Sequence, residues 1–292
     1  MKDGFINVLK PPGMTSHDVI SFIRRTLGTK KAGHAGTLDP GAAGVLPVAV
    51  GAATRLLPYL APVSKAYRAE LLLGIATDSG DDLGNVLEEV KEFALPDDEQ
   101  LEKAAQALTG IITQVPPVYS AIKIGGRRAC DLARQNIEVE IPERQIEISS
   151  LQILRRKGGR LLLDVECSKG TYIRTLCVDF GRQLGLPATM SFLVRRRVGD
   201  FSLNGAVSLA ELAELKDGAV QAPDKFLLHL AEYELQERRI NAFRNGLPTR
   251  ISEAPAEDNE WLRIYSGGRF LGIGRYQATD SSVYPERAYQ GE

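Results

Sequence analysis

A single aspartate on a glycine-rich loop, placed directly before a long apolar run, most constrains how this chain can fold. Residues 36–47 read G-T-L-D-P-G-A-A-G-V-L-P. Glycine allows positive φ and close backbone approach, and Pro40 disfavours helix at Asp39. The apolar run over 45–50 predicts a buried strand. The pattern therefore predicts a catalytic carboxylate beside the core; the alternative is an Asx-turn in which Asp39 caps its own backbone.

The composition is typical of a globular chain with one large and one small domain, or with two domains. Of 292 residues, 43% are hydrophobic and 25% are charged. Cys130, Cys167 and Cys177 form no C-x-x-C pair, and their odd number predicts a reducing compartment. The N-terminal apolar stretch is too short for a signal peptide, and no run approaches a membrane span. We therefore expect a cytoplasmic protein without a membrane partner.

The net charge of −1 does not by itself indicate nucleic acid, but the charges are segregated along the chain. Acidic residues crowd between Asp78 and Glu102. Basic residues gather elsewhere, at Arg24–Arg25, Lys30–Lys31, Lys123 with Arg127–Arg128, and Arg195–Arg197. Such a chain can present a basic face to phosphates, although each cluster alone is more typical of a solvated surface.

Local patterns predict an α/β body followed by a small β-rich module. Thr15 with Asp18 resembles a capping box, and the helix that it begins is predicted to end at Gly28. The acidic stretch is predicted to be a loop and linker, and alternating runs from about Leu235 predict the β module. The other predicted elements are strands over 4–9, 45–50, 67–73, 146–154, 161–167 and 193–198, a hairpin turned by Gly125–Gly126, and helices over 55–60, over 97–108 and ending at Gly185.

Sequence signals for metal and cofactor chemistry are missing. His17, His34 and His229 are not at ligand spacing with one another or with cysteines. The chain has no G-x-x-x-x-G-K-[ST], no dinucleotide fingerprint and no G-x-S-x-G. We therefore predict no metal and no cofactor. An acid, tyrosines, arginines and one histidine remain as the reactive groups.

Several segments resemble, in family order, the motifs of the TruB-type tRNA pseudouridine synthases. Those that carry the resemblance are K-P-P-G-M-T-S at 10–16, G-H-A-G-T-L-D-P at 33–40, S-K-A-Y-R at 64–68, S-K-G-T-Y-I-R at 168–174, and Leu193 with Arg195–Arg196. They span roughly residues 4–200 and are highly specific together. A weaker resemblance, through residues 245–248 and 270–274, links the tail to a PUA-like module.

The resemblance implies a pseudouridine synthase fold, α/β (α+β), with a mixed, largely antiparallel central sheet. It implies a catalytic domain over 1–230 with an RNA-contacting insertion over 116–142, and a PUA-like RNA-binding module over 231–292. The implied activity is isomerisation of uridine to pseudouridine at position 55, in the TΨC stem-loop of tRNA. No group is added or removed, so no cofactor is implied. A monomer without an obligate protein partner is expected.

The resemblance also implies catalytic roles. Asp39 would be a nucleophile toward C6 of the base or C1′ of the sugar, or would abstract a ribose proton; aspartate is ordinarily ionised at neutral pH, since its reference pKa is about 3.9. Arg174 would pair with this acid and keep it charged. Tyr67 would stack on the base, with acid–base work second, because a tyrosine pKa of about 10 suits neutral pH poorly.

Further residues are implied to hold a flipped nucleotide. Flipping costs on the order of a few kcal/mol of stacking, which pocket contacts must replace. His34 would fill the space that the base leaves, although a lone histidine is more often structural. Tyr172 and Leu193 would form walls of the base pocket. Asp81 would contact substrate, and a solvated acidic loop is the alternative there.

RNA docking is expected to rest on phosphate contacts and loop shape rather than on groove readout. The candidate contacts are Lys10, Lys65, Lys123, Arg127, Arg128, Arg195, Arg196 and Arg197. Two alternatives stay open: a guide-dependent, dyskerin-like synthase with partner proteins, and a tRNA-folding chaperone with incidental catalysis. The short N-terminus and the absence of lysine-rich tails favour the stand-alone enzyme.

Overall fold

The computed structural model describes residues 2–60, 63–120, 122–133, 135, 137 and 139–290. The strands of this part of the chain are β1 Gly4–Lys10, β2 Ala32–His34, β3 Ala43–Val50, β4 Lys65–Leu73, β5 Ile75–Thr77, β6 Val86–Glu89, β7 Gly110–Gln114, β8 Lys123–Ile124, β9 Arg127–Arg128, β10 Arg144–Lys157, β11 Arg160–Cys167, β12 Ala188–Val198, β13 Phe201–Ser202, β14 Ala231–Glu234, β15 Thr249–Arg250, β16 Trp261–Ser266, β17 Arg269–Gln277 and β18 Ser282–Ala288. The α-helices are α1 Ser16–Leu27, α2 Asp98–Ala107, α3 Ala129–Ala133, α4 Ile173–Gln183, α5 Leu209–Leu215 and α6 Ile240–Arg244. Short 3-10 helices cover Gly51–Leu60, Leu203–Gly205, Lys216–Ala219, Pro223–Phe226 and Glu237–Arg239.

These elements form two compact units, each built from segments that are distant in sequence. The first unit contains Met1–Asp39, Val45–Val63 and Val198–Glu292, and the second contains Pro40–Gly44 and Ser64–Arg197. The domain boundary expected between residues 230 and 231 lies inside the first unit and stays a prediction.

Helix α1 in the first unit is confirmed with both of its predicted ends. The Thr15 hydroxyl accepts from the N–H of Asp18 at 3.0 Å, and the Asp18 carboxylate accepts from the N–H of Thr15 at 2.9 Å. Gly28 ends the helix in the left-handed conformation, with φ of 63°. The apolar face of α1 packs with residues of β1 and β3 in one buried cluster. Local capping chemistry and amphipathic spacing together therefore fix this helix beside the Asp39 loop.

The β-rich tail also forms as predicted, as a five-stranded sheet in the order β14-β16-β17-β18-β15. Its strands are antiparallel except for the parallel pair β14–β16. Ile273 of this sheet joins a buried cluster with Phe5 and Phe201. Trp261 packs edge-on against Tyr59, with the two ring centroids 4.8 Å apart. The tail therefore shares a hydrophobic core with the N-terminal strand.

The second unit is organised by strands in the order β12-β4-β11-β10-β7. The pairs β4–β11, β11–β10 and β10–β7 are antiparallel, whereas Ala43–Gly44 of β3 pair in parallel with Val194 and Arg195 of β12. The sheet is therefore mixed and largely antiparallel, as predicted. Burial alternates along β11, the period expected when one face of a strand packs on a core.

The acidic stretch corrects the prediction of a plain loop and linker, because it contains the hairpin β5–β6. Asp78 closes the turn by accepting from the backbone N–H and the side-chain amide of Asn85, both at 2.9 Å. Val86 and Leu87 are 60% and 70% exposed, so no alternation of apolar and polar residues marks β6.

Among the described residues, none of the helices combines the length and the apolar character that a membrane span requires.

Candidate active site

The Asp39 loop connects β2 to β3, which pair antiparallel with His34 opposite Val48. The Asp39 side chain is half-buried, whereas Leu38 is fully buried. The Ser16 hydroxyl accepts from the N–H of Leu38 at 2.9 Å and donates to its C=O at 3.1 Å. The loop is thus attached to the start of α1 at the residue directly before the predicted nucleophile.

Gly44, five residues after Asp39, occupies a position where the backbone requires glycine. Its φ is 117°, and an added Cβ would lie 2.2 Å from the main-chain oxygen of Arg195 and 2.6 Å from its nitrogen. Real Cβ atoms do not come this close to other heavy atoms, so only glycine permits the parallel pairing of Ala43–Gly44 with β12. The glycine-rich sequence is therefore explained by a close backbone approach as well as by turn formation.

Arg174 lies in the first turn of α4, and its side chain is only 5% exposed. Nη1 donates to the carbonyl of Ser79 at 3.0 Å, and Nη2 donates to the carbonyl of Tyr119 at 2.9 Å. Nε lies 3.8 Å from a carboxylate oxygen of Asp81. Main-chain acceptors on two separate segments therefore hold the guanidinium plane in one orientation.

Asp81 is not a solvated loop residue, which corrects the alternative weighed for it from the sequence. Its side chain is 13% exposed. It accepts from the Ser79 hydroxyl at 2.6 Å and from the N–H of Leu83 at 3.2 Å. The structure therefore brings Asp81 and Arg174 together, and a substrate contact by Asp81 stays a prediction.

Tyr172 is held on its backbone and on its ring. Its N–H donates to the Gln114 side chain at 2.8 Å, and the Gln114 amide donates to its C=O at 3.1 Å. The guanidinium of Arg144 lies over the ring, 4.7 Å from the centroid. A cation over an aromatic face is an attractive contact. The residue predicted as a pocket wall is therefore well fixed.

The remaining predicted pocket residues differ in burial. Tyr67 on β4 and Leu193 on β12 are buried, and His34 on β2 is half-buried. Burial of Tyr67 and Leu193 agrees with an apolar pocket wall and equally with an ordinary core position. Their functional roles stay predictions.

Two predicted RNA contacts, Lys123 and Arg127, are exposed on the hairpin β8–β9. Arg127 donates to the side chain of Gln135 at 2.6 Å. Arg196 is instead ion-paired with Asp164. The side chain of Arg128, and residues 121, 134, 136 and 138 of the predicted insertion, lie outside the described residues.

Lys10 and Arg195 correct the prediction of surface phosphate contacts, because their exposures are 0% and 1%. Leu193 and Arg195 alternate along β12, so both side chains point to the buried face. Lys10 donates to the carbonyl of Pro11 at 2.9 Å. The pKa of Lys65 is lowered mainly by burial and, to a smaller extent, by repulsion from Arg195. Lys10 and Arg195 therefore belong to the interior, whereas Lys65 is half-buried.

Metal and thiol chemistry find little support in the described residues. They contain no group of three or more His, Cys, Asp or Glu side chains able to hold a metal ion. Burial raises the pKa of Cys167 to about 11 and that of Cys177 to about 12, so both are neutral thiols at physiological pH. Neither is a reactive nucleophile.

Sequence reasoning missed the residues that hold the predicted site residues in place. These are Ser16, Ser79, Gln114, Tyr119 and Arg144. Ser16 is the last residue of the K-P-P-G-M-T-S segment, so the sequence indicates Ser16 as part of a motif but does not indicate its partner Leu38. The others lie far from their partners in sequence, and no local pattern indicates them.

Comparison with known proteins finds relatives over nearly the whole chain. Residues 24–173 match the family model described as TruB family pseudouridylate synthase (N terminal domain), 174–232 match tRNA pseudouridylate synthase B C-terminal domain, and 231–288 match Pseudouridine synthase II TruB, C-terminal. The tRNA pseudouridine synthase B of Heliobacterium mobile is 45% identical and covers 94% of this chain and 90% of its own. That of Moorella thermoacetica is 50% identical over 94% of both chains. A crystal structure of a Cbf5-Nop10-Gar1 complex matches with a TM-score of 0.77 and 27% identity, over 99% of this chain and 84% of that chain.

Proposed function

This chain belongs to the TruB family of pseudouridylate synthases, which are isomerases, and we propose that it converts uridine to pseudouridine at position 55 of tRNA, in the TΨC stem-loop. Relatives named tRNA pseudouridine synthase B, at 39–54% identity, support tRNA as the substrate. One observation carries the mechanism. The residue directly before Asp39 is fixed by the buried Ser16 hydroxyl, and the guanidinium of Arg174 is fixed by the carbonyls of Ser79 and Tyr119.

Asp39 is the proposed nucleophile. In this isomerisation the bond between C1′ and N1 breaks, a bond between C1′ and C5 forms, the proton on C5 is released and N1 gains a proton. The atoms therefore balance without a cofactor. Attack by the carboxylate on C6 or on C1′ gives a covalent intermediate, and abstraction of a ribose proton is a third route. A half-buried carboxylate on a loop that is fixed at Leu38 suits any of the three.

Arg174 is the proposed partner of Asp39. A guanidinium recognises a carboxylate best through two parallel hydrogen bonds, which require a fixed plane. The carbonyls of Ser79 and Tyr119 support such a plane. The Arg174 side chain is 5% exposed, and the nearby carboxylate of Asp81 offsets the cost of burying its charge. A contact of Asp81 with substrate is proposed as a further role.

The base pocket is proposed to consist of Tyr67, Tyr172 and Leu193. Tyr67 stacks on the target uracil and takes part in proton transfer only secondarily. Stacking on an aromatic side chain stabilises a base by about 1–3 kcal/mol, which offsets much of the cost of flipping. His34 fills the space left by the flipped nucleotide.

RNA docking is proposed to use the insertion 116–142 and the C-terminal module 231–292. Lys123 and Arg127 are exposed on the tip of the insertion, as phosphate contacts require. Arg196 is a weaker candidate, because Asp164 already neutralises its charge. The protein is proposed to act as a monomer, without a guide RNA.

The test is a single purified protein with one unmodified tRNA transcript and no other component. Because the product has the mass of its substrate, the transcript is first derivatised with a pseudouridine-selective reagent. Mass mapping should then find one derivatised nucleotide, at position 55. A transcript with cytidine at that position is the matched control and should remain unmodified. Modification that requires added protein or guide RNA would favour the dyskerin-like alternative, and pseudouridine at another position would contradict the assigned substrate.

A further inference from the structure

Two buried polar side chains each bind the N–H and the C=O of a single residue beside a predicted catalytic group. Ser16 binds Leu38, directly before Asp39, and Gln114 binds Tyr172, two residues before Arg174. We propose that Ser16 and Gln114 are positioning residues for the isomerisation. This inference rests on the proposed function of the same site, and it predicts that both act on the rate of the chemical step rather than on tRNA affinity.

Ser16 transfers the rigidity of α1 to the Asp39 loop. A serine inside a helix commonly bonds to backbone of its own helix, which bends the helix slightly. Ser16 instead forms both bonds with Leu38, 22 residues away, in a buried environment. The helix itself is fixed by the Thr15–Asp18 capping box and by its buried apolar face. Because a buried hydroxyl fully paired with one residue is directional, it limits where Asp39 can lie.

Gln114 performs the same role at the start of α4. Tyr172 is the N-cap of this helix, and its side chain makes no capping hydrogen bond. The Gln114 amide, which is buried on the edge strand β7, therefore fixes the entry of the helix in place of a cap. Arg144 lies opposite Gln114 in the β10–β7 register and covers the ring of Tyr172. The strand pair β7–β10 thus holds the backbone that leads into Arg174.

Loss of either side chain leaves buried backbone groups without a hydrogen-bond partner and lets the segment move. A displacement of about 1 Å in a catalytic group lowers rates on the order of 100-fold. We therefore expect single-turnover rates to fall about 10- to 100-fold in Ser16→Ala and Gln114→Leu. The dissociation constant for tRNA should change less than about 3-fold, since neither side chain is exposed to RNA.

The Ser16 experiment compares Ser16→Ala with Thr15→Ala by single-turnover tritium release and by filter binding of tRNA. Thr15 caps the same helix, but its side chain bonds to Asp18 and not to Leu38, so Thr15→Ala measures the effect of weakening the helix alone. Thr15→Ala should stay within about 3-fold of the wild-type rate. Ser16→Thr, which keeps the hydroxyl, should restore the rate. Equal losses in the Thr15 and Ser16 variants, or an unchanged rate in Ser16→Ala, would overturn the inference.

If Ser16→Ala does not fold, Ser16→Cys replaces it, because a thiol is a weak donor and acceptor of nearly the same shape. A wild-type rate in that variant would also overturn the inference.

For Gln114 the matched control is Thr113→Ala, on the exposed face of the same strand. A wild-type protein that makes no pseudouridine would refute the proposed function itself. An active wild type with unaffected Ser16 and Gln114 variants would refute only the positioning roles.

Discussion

Replacing Gly44 by alanine tests whether close pairing of β3 with β12 is essential to the segment that carries Asp39. The added Cβ would lie 2.2 Å from the Arg195 carbonyl oxygen and 2.6 Å from its nitrogen. Both atoms belong to the backbone, so no side-chain rotation relieves the overlap. The φ of 117° is also unfavourable for alanine. Either the strands separate, or β3 adopts another conformation.

The magnitude follows from two additive costs. A non-glycine residue in a rarely populated backbone region costs about 1–3 kcal/mol. Overpacking a well-packed site costs about a further 1–3 kcal/mol. The variant should therefore lose about 2–6 kcal/mol of unfolding free energy. At about 2 °C per kcal/mol for a chain of this size, its melting temperature should fall by about 4–12 °C.

Gly41→Ala is the matched control on the same loop. The nearest atom to its added Cβ is the Leu83 methyl carbon at 3.4 Å, an ordinary contact, and its φ lies outside the left-handed region. Its unfolding free energy should change by no more than about 0.5 kcal/mol, or about 1 °C. The assay is thermal unfolding of both variants beside the wild type. A Gly44→Ala melting temperature within about 1 °C of the wild type would refute the argument from close backbone approach.

Three further outcomes are expected. Tyr67→Ala should lower the single-turnover rate at least about 100-fold and weaken tRNA binding less than about 10-fold, because stacking contributes about 1–3 kcal/mol; a wild-type rate would remove Tyr67 from the pocket. Lys65→Met should raise the melting temperature at pH 7, because burial lowers the pKa of Lys65 below its ordinary 10.5 and its charged form therefore costs stability. This cost disappears as pH rises toward 10.5, so a difference in melting temperature between Lys65→Met and wild type that does not change with pH would contradict the argument. Replacing both Lys123 and Arg127 by alanine should reduce the slope of log affinity against log salt by about 2, whereas Lys103→Ala on α2 should not change it; equal slopes would place the hairpin away from RNA.

Sequence reasoning succeeded where short-range chemistry decides the structure. The Thr15–Asp18 capping box and Gly28 define both ends of α1, since all of the interacting groups lie within one or two turns. The glycines around Asp39 marked a backbone that must turn or approach another segment closely. Gly44 satisfies this through Arg195, a residue that no local pattern could identify.

The interior cations show why the rest could not be predicted. Lys10 and Arg195 are predicted as RNA contacts, yet both are buried. For Arg195 the alternation along β12 carries the missing signal, because Leu193, two residues before it, lies on the same buried face. The contacts of Arg174 with Ser79 and Tyr119 span 95 and 55 residues, and tertiary packing alone creates them.

The most direct measurement is the single-turnover rate of Asp39→Asn on one tRNA transcript, taken with its tRNA dissociation constant. An amide is not a nucleophile or a base at neutral pH, so the account predicts a loss of at least about 1,000-fold in rate, with affinity within about 3-fold of the wild type. Pseudouridine formed by Asp39→Asn at a near-normal rate would contradict the central claim that this carboxylate performs the chemistry.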